Sequence, residues 1–250
     1  MKANIRENIA KINEIKAAAA EKAGKRGEDV LLVGVTKTRT VEELNEGIDA
    51  GLTDIGENKV QEIMDKYDFV KPVRWHMIGH LQTNKVKYII DKVSMIHSVD
   101  SYKLAEEINK RAGQHNLTMD ILIQVNSAQE ESKFGVSVDE TEELLRMILD
   151  NCPNINVRGL MCIAPKAEDP NEIRHYFADV KKLSDQYAQI DHERLDFKYL
   201  SMGMSHDFEA AIMEGSNLIR VGTAIFGERD YSKQKYRRLL LWESLINLKI

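Results

Sequence analysis

Cysteine is scarce in this sequence, and long apolar runs are missing from it. The 250 residues include two cysteines, Cys152 and Cys162, and they form no CxxC pattern. Isolated cysteines of this kind are typical of small buried side chains in a reducing compartment. We therefore expect two buried thiols and a cytoplasmic protein.

Signals for membranes, secretion and nucleic acids are also missing. Because no run of about 18 or more apolar residues occurs, we expect no transmembrane helix. Residues 1–16 alternate charge with isoleucine and lack the apolar core of a secretory signal. The formal net charge of −5 argues against a general nucleic-acid binder. We expect neither a membrane nor a nucleic acid among the partners.

Eight short apolar runs are present, and they are typical of buried β-strands. They cover residues 30–37, 53–58, 74–79, 94–100, 120–126, 156–164, 198–203 and 217–227. Stretches with helical spacing separate them, such as Val41, Leu44 and Ile48. Alternating strands and helices indicate an α/β fold with a parallel sheet, and eight units in this length match a closed (β/α)8 TIM barrel. A doubly wound open sheet is the alternative.

Two further helical stretches lie outside the eight units. The first carries Ile5, Ile9, Ile12 and Ile15 on one face, and the last covers residues 236–248. A basic patch lies near the start of the last stretch, and it indicates either a solvated helix face or a surface for a partner: Lys233, Lys235, Arg237 and Arg238. Because no linker or change of composition divides the chain, we predict a single domain over residues 1–250 with extra terminal helices.

Polar residues follow the strands at the end where a barrel of this type builds its active site. They are Lys37, Glu57, Asn58, His80, Asp100, Asn126 and the segment Ser201 to Ser205. Lys37 ends an otherwise apolar run. An amine in a partly desolvated pocket has a lowered pKa and can form a Schiff base with an aldehyde. The alternative is a solvated lysine at a strand end.

Two loops of small residues predict a phosphate site. Residues 201–205 read SMGMS and lead into a helix that begins near Asp207, and the eighth run itself contains Gly222 and Thr223. Backbone N–H groups and hydroxyls in such loops bind phosphate, and barrels place this site after strands seven and eight. A lysine for an aldehyde together with a phosphate site indicates pyridoxal 5′-phosphate.

Arg220 is a candidate contact for the pyridine nitrogen of that cofactor. Strand alternation would direct its side chain into the barrel mouth. An arginine donates hydrogen bonds and does not accept a proton, so the ring nitrogen would stay unprotonated and the ring would be a weak electron sink. An ion pair with a barrel glutamate is the alternative.

Several motifs resemble, in order and over nearly the whole chain, those of the pyridoxal phosphate homeostasis (YggS/PROSC-like) family. They are GVTKT, IGENKVQE, WHMIGHLQTNK, ESKFGV, GLMCIAP and LSMGMSHDFEAAIMEGSNLIRVGTAIFGERDY. The resemblance implies a fold-type III barrel like the amino-terminal domain of alanine racemase, with the cofactor on Lys37. It implies cofactor contacts from Ser201, Ser205, Gly222 and Thr223 to the phosphate, from Arg220 to the ring nitrogen, and from the nearby Asn58 and His80.

The same resemblance implies a role in supplying the cofactor and limiting its free concentration, with recipient pyridoxal-phosphate enzymes as partners and without efficient catalysis. Racemases of this fold use a second, β-rich domain that supplies a tyrosine, and we expect none here. A racemase-like enzyme stays open, as does a Schiff-base aldolase. A metal hydrolase on His76 and His80 has no evident third ligand, so we predict no metal site.

Overall fold

The chain folds into a closed barrel of eight parallel strands in the order β1 to β8, with β1 paired to β8. The computed structural model describes residues 3–128, 130 and 133–228. The strands are β1 (Leu31–Val35), β2 (Asp54–Glu57), β3 (Arg74–Met77), β4 (Met95–Val99), β5 (Met119–Val125), β6 (Ile155–Cys162), β7 (Leu195–Ser201) and β8 (Leu218–Val221). The prediction of a TIM barrel is confirmed, and the open sheet is excluded.

Helices surround the barrel. They are α1 (Ile5–Lys22), α2 (Val41–Asp49), α3 (Val60–Lys66), α4 (Tyr102–Gln114), α5 (Thr141–Asn151), α6 (Arg174–Tyr187), α7 (Phe208–Met213) and α8 (Thr223–Phe226). Short 3-10 helices cover Gly27–Asp29, Tyr67–Phe69, Thr83–Tyr88 and Pro170–Ile173. The segment Thr83–Tyr88 takes the place of an α-helix between β3 and β4.

The predicted opening helix is α1. Its Asn4 N-cap accepts a hydrogen bond from the backbone N–H of Glu7, which satisfies one of the free donors of the first turn. Ile5, Ile9 and Ile12 are buried, because α1 packs across α2, α7 and α8. The predicted closing helix and its basic patch lie outside the described residues.

The eighth apolar run contains a strand and a helical turn, so its prediction as one strand over 217–227 is wrong. The strand β8 ends at Val221, and Gly222 leaves the extended conformation at φ −120° and ψ −73°. Ile225 and Phe226 then lie buried in α8. A short apolar run does not distinguish a strand from a buried helical turn, and only Gly222 marks the boundary.

Two separate layers make up the core. The larger apolar layer lies between the sheet and the helices, and a smaller cluster of Met95, Leu122 and Met161 has Tyr199 packed against it. Polar and charged side chains on the strands are buried as well: Asp54, His76, His97, Ser201 and Arg220. A polar barrel interior of this kind requires hydrogen-bond partners for each group.

Both cysteines are free and buried, as the sequence predicts. In the part of the chain that the structure describes, none of the helices is long and apolar enough to cross a membrane.

Candidate functional site

Lys37 lies just beyond the carboxyl end of β1, partly buried. The backbone N–H of Thr36 donates to Gly56 O at 3.0 Å, so the pairing of β1 with β2 continues to the residue before the lysine. Thr38 has φ +67°, a left-handed conformation that residues other than glycine seldom adopt. The backbone that carries Lys37 is therefore held in one conformation by its surroundings.

A buried lysine on α3 fixes this segment. Lys66 Nζ donates to the carbonyl oxygen of Thr36 at 3.1 Å, to Glu57 Oε1 at 2.7 Å and to Glu62 Oε2 at 2.8 Å. Glu62 Oε2 also accepts from the backbone N–H of Thr38 at 2.6 Å. We call Lys66, Glu57 and Glu62 the Lys66 clamp, because they bind the residues on both sides of Lys37.

Glu57, the last residue of β2, is fully buried within this clamp. Burial raises the pKa of its carboxyl to about 7, although Lys66 and the Thr36 hydroxyl favour the ionised form. One carboxylate oxygen accepts from both of those groups. In the described part of the chain, the buried side-chain atoms without a hydrogen-bond partner are Glu57 Oε2, Asn58 Oδ1 and Ser127 Oγ. Two of these three follow each other at the end of β2, where a ligand would meet them.

Ser205 and the start of α8, which the sequence predicts to bind phosphate, are in contact. Ser205 Oγ accepts from the backbone N–H of Gly222 at 3.3 Å and of Ala224 at 3.4 Å. A side chain on Gly222 would press on Val35, because its Cβ would lie 3.1 Å from the Val35 Cβ. The loops after β7 and β8 therefore meet beside the strand that carries Lys37, and they join a hydroxyl to backbone donors.

Arg220 lies on β8 with its side chain buried. Nη1 donates to Ser201 Oγ at 2.5 Å, and Nη2 donates to the carbonyl oxygen of Cys162 at 2.9 Å. Burial lowers the pKa of this guanidinium from its ordinary value. Its contacts are a hydroxyl and a carbonyl, and among the described residues no glutamate forms an ion pair with it.

Ser201 and Ser205 have different hydrogen-bond partners. The Ser201 hydroxyl is buried, 3.1 Å from His97 Nδ1, and accepts from Arg220. These contacts place Ser201 beside the guanidinium, whereas Ser205 faces the amides of the phosphate site.

His80 lies at the barrel mouth, outside the interior. Its ring stacks on Phe134 at a centroid distance of 3.9 Å, and Nδ1 is 3.5 Å from Asp100 Oδ2. Asn126 follows β5 and donates to the carbonyl oxygen of Glu130 at 2.9 Å, so it supports its own loop. His76 lies inside the barrel with both ring nitrogens in contact, to Asp54 and to His97.

Metal chemistry finds no support in the geometry. Among the residues described, no group of three or more His, Cys, Asp or Glu side chains is placed to hold a metal ion. His76 and His80, the pair that prompted this alternative, lie in different environments. The side chain of His76 is 3% exposed, and the side chain of His80 is 37% exposed.

Sequence reasoning missed Lys66, Glu62 and His97. His97 had a signal, since a histidine inside the apolar run 94–100 is unusual. Lys66 had none, because a lysine in the last turn of a helix is typical of a solvated residue that complements the helix dipole.

Known proteins share this architecture over most of the chain. A family model described as alanine racemase, N-terminal domain, matches residues 2–230. A pyridoxal phosphate homeostasis protein of Aquifex aeolicus (strain VF5) is 44% identical over 230 residues, covering 91% of this chain and 100% of the relative. Its counterpart in Escherichia coli (strain K12) is 35% identical over 237 residues, covering 92% and 99%.

A solved structure extends the likeness to a bound state. The structure of PipY from Synechococcus elongatus PCC7942 with PLP bound has a TM-score of 0.76 and 31% identity, and the match covers 90% of this chain and 100% of that chain. The resemblance noted in the motifs is confirmed by these matches. With its closed barrel and these relatives, the chain belongs to the pyridoxal phosphate homeostasis protein family, which is built on the alanine racemase N-terminal domain.

Proposed function

We propose that this protein binds pyridoxal 5′-phosphate, holds it covalently on Lys37 and takes part in keeping its free concentration in check, without efficient turnover of amino acids. The relatives carry this role in their names, and one neighbour was solved with PLP bound. We further propose that the chain of 250 residues acts as a single domain in the cytoplasm, with recipient pyridoxal-phosphate enzymes as partners and no nucleic acid.

The observation that carries the proposal is the fixed backbone at Lys37 beside the phosphate site. The Lys66 clamp binds Thr36 and Thr38, and the start of α8 packs on Val35 two residues before the lysine. A covalent anchor and a phosphate-binding loop at one barrel edge match the two reactive ends of this cofactor.

The residues present fit the cofactor. Gly222 and Ala224 offer backbone donors around the Ser205 hydroxyl, which suits a phosphate group. Asn58 Oδ1 is a buried acceptor without a partner, and a hydroxyl donor on a ligand would satisfy it. We assign Ser205, Gly222 and Thr223 to the phosphate, Arg220 to the ring nitrogen with Ser201 supporting it, and Asn58 and His80 to the mouth.

Each residue has a separate task in this proposal. When bound, the cofactor supplies an aldehyde that reacts with amines. Lys37 Nζ would hold the cofactor through its aldehyde carbon with loss of water, and the clamp fixes the backbone from which this side chain extends. Glu57, with its pKa raised to about 7 by burial, can hold or release a proton near neutral pH. Arg220 donates to the ring nitrogen and does not protonate it, which limits carbanion stabilisation and disfavours turnover.

The test is to map the covalent attachment. Purified protein loaded with pyridoxal phosphate is reduced with borohydride, digested and analysed by mass spectrometry. We expect the pyridoxyl group on Lys37, and we expect Lys37→Ala to abolish it along with the visible absorbance. Lys71→Ala is the control, because Lys71 is a surface residue paired with Asp49. Labelling mainly on another lysine would contradict the assignment.

A racemase-like enzyme is the competing candidate, which the family model favours by its name. It would bind the same cofactor on the same lysine, so attachment does not distinguish the two. Turnover of amino acids does.

A further inference from the structure

A chain of hydrogen-bonded side chains crosses the interior of the barrel. His76 on β3 joins Asp54 on β2 at 2.8 Å through Nε2, and it joins His97 on β4 at 2.9 Å through Nδ1. His97 Nδ1 is 3.1 Å from Ser201 Oγ on β7, which accepts from Arg220 on β8 at 2.5 Å. We call these five residues the interior chain. All of them are buried.

The two ends of the interior chain set the donors at Asp54 and at Ser201, and one arrangement of protons connects them in a single direction. Asp54 is a carboxylate: burial opposes ionisation, but hydrogen bonds from His76, Arg74 and Thr53 lower its pKa to about 2. A carboxylate only accepts hydrogen bonds, so His76 Nε2 must carry a proton and donate it to Asp54. In the tautomer with its single proton on Nε2, His76 has a bare Nδ1 that accepts from His97 Nε2.

The other end is compatible with the same direction. A guanidinium only donates, so Ser201 Oγ accepts from Arg220, and the hydroxyl proton is then available to donate to His97 Nδ1. Burial, together with the neighbouring His76 and Arg220, holds the pKa of His97 well below its ordinary value, so its ring is neutral. A neutral His97 that accepts at Nδ1 must donate at Nε2, which is the requirement reached from Asp54.

We propose that His97 and His76 are positioning residues that orient Ser201 and, through it, hold Arg220 in place for the pyridine nitrogen of the cofactor. This inference rests on the proposed function of Arg220. It assigns the Ser201 hydroxyl to Arg220 and His97, and it leaves the phosphate to Ser205 and the start of α8.

The physical need for this arrangement is the burial of Arg220. Its two hydrogen-bond acceptors in the described structure, Ser201 Oγ and the Cys162 carbonyl, carry no formal charge. A buried cation requires well-made hydrogen bonds, and hydrogen bonds that run in one direction polarise one another. Asp54 at the far end therefore strengthens Ser201 as an acceptor through both histidines.

The proton positions can be measured directly. In a two-dimensional spectrum of protein with 15N-labelled histidine, His76→Gln and His97→Gln variants assign two of the seven histidines. We expect the His97 ring to be neutral at pH 7 with its proton on Nε2, and we expect His76 Nε2 to carry a proton. A proton on Nδ1 of His97, or a doubly protonated His97, would overturn the inference. This measurement needs no cofactor.

Cofactor affinity tests the positioning role. His97→Leu breaks the interior chain, and we expect it to weaken pyridoxal phosphate binding about tenfold. His97→Gln has an amide nitrogen to donate to His76 and an amide oxygen to accept from Ser201, so we expect it to restore most of the affinity. Thr141→Val is the control, because it removes a part-buried hydrogen bond from Thr141, the first residue of the outer helix α5, to Ser137 O.

A double-mutant cycle separates positioning from a loss of stability. If His97 acts through Ser201, then His97→Leu in the Ser201→Ala background should cost little further affinity. Independent, multiplying losses would contradict the role, as would unchanged affinity in His97→Leu. Should His97→Leu not fold, the same cycle is run with His97→Asn. Borohydride labelling of Lys37 in each variant reports the proposed function separately, since it needs the lysine and not the interior chain.

Discussion

The position of Lys37 is fixed through its two neighbours in sequence. Thr36 and Thr38 are both bound by residues that belong to α3 or face it, and the left-handed Thr38 directs the chain away from β1 immediately after the lysine. A rigid backbone limits the region that the Lys37 amine can reach, which favours its use as a covalent anchor.

Glu57→Gln should change how stability depends on pH. Burial raises the Glu57 pKa from 4.5 to about 7, so the folded state binds this proton more tightly than the unfolded state. The folded protein therefore loses stability from this group as the pH rises from about 5 toward 7, by at most about 1.4 kcal/mol per pH unit. Glutamine removes this component, and Glu62 remains as a partner of Lys66.

The measurement is urea unfolding of wild type and variant at several pH values between about 4.5 and 8. The stability of wild type relative to Glu57→Gln should fall with rising pH across that window. Glu193→Gln, at an exposed loop position, serves as the control and should leave the slope unchanged. Parallel pH profiles for wild type and Glu57→Gln would contradict the raised pKa.

At the scale of elements, the loops after β7 and β8 act as a pair. Ser205 from one loop contacts the backbone amides of the other, so the proposed phosphate site needs both loops. The site depends on the pairing of β7 with β8, in which Ser201 faces Leu218.

Ser205→Ala and Thr223→Ala should each weaken binding of pyridoxal phosphate. Each change removes a hydroxyl from the proposed phosphate site, and the expected loss is about 1 kcal/mol or more, near fivefold in Kd. Titration followed by cofactor fluorescence measures it, with Thr141→Val as a hydroxyl deletion away from the site. If the Ser205→Ala, Thr223→Ala double variant binds as tightly as wild type, the phosphate lies elsewhere.

Gly159 in β6 is a second element-scale feature. It has φ +139°, and an added Cβ would overlap the carbonyl oxygen of Tyr199 on β7, at the point where the β6–β7 register shifts. Gly159→Ala should therefore lower the free energy of unfolding by several kcal/mol, since it meets both strain and a clash.

Gly24→Ala provides the matched comparison. Gly24 also has a positive φ, +71°, but nothing lies within 4 Å of its added Cβ. We expect it to cost about 1 kcal/mol from conformation alone. Thermal and urea unfolding of the two variants separate strain from overlap, and equal losses would show that the contact with Tyr199 is not decisive.

At the scale of the whole molecule, the closed barrel brings the ends of eight strands to one edge and buries a polar interior behind it. Lys37 follows β1, Ser205 follows β7 and Arg220 lies on β8. The pairing of β1 with β8 closes the barrel and brings these three elements side by side. The same interior holds the buried Arg220, which we propose to contact the pyridine nitrogen and so to disfavour carbanion chemistry.

The loaded protein should not turn over amino acids efficiently. Incubation with L-alanine and other L-amino acids, followed by assays for D-isomers and keto acids, should give rates well below about one per second. The visible spectrum should still change if an amino acid replaces Lys37 as the amine partner, which is one route to release of the cofactor. Sustained multiple turnover at about one per second or faster that Lys37→Ala abolishes would establish the racemase-like alternative.

Much of this protein could be read from the sequence. The eight apolar runs, the helix over Ile5–Lys22 and the place of Lys37 after the first strand each depend on short stretches of chain, where side-chain period reports burial directly. The rule that parallel barrels gather the carboxyl ends of their strands then placed Ser205 and Gly222 near Lys37 without any coordinates.

The tertiary structure decided what depends on contacts between distant residues. Ser201 and His97 are 104 residues apart, and Lys66 lies on a helix whose pattern is typical of a solvated end. Their roles depend on the strand register and on which buried groups have no contact with water. The local spacing of apolar residues in the sequence reports neither. The sequence thus determined the barrel and the edge at which the carboxyl ends of its strands lie. Only the folded barrel joined Asp54, His76 and His97 to Arg220 through the hydrogen bonds of the interior chain.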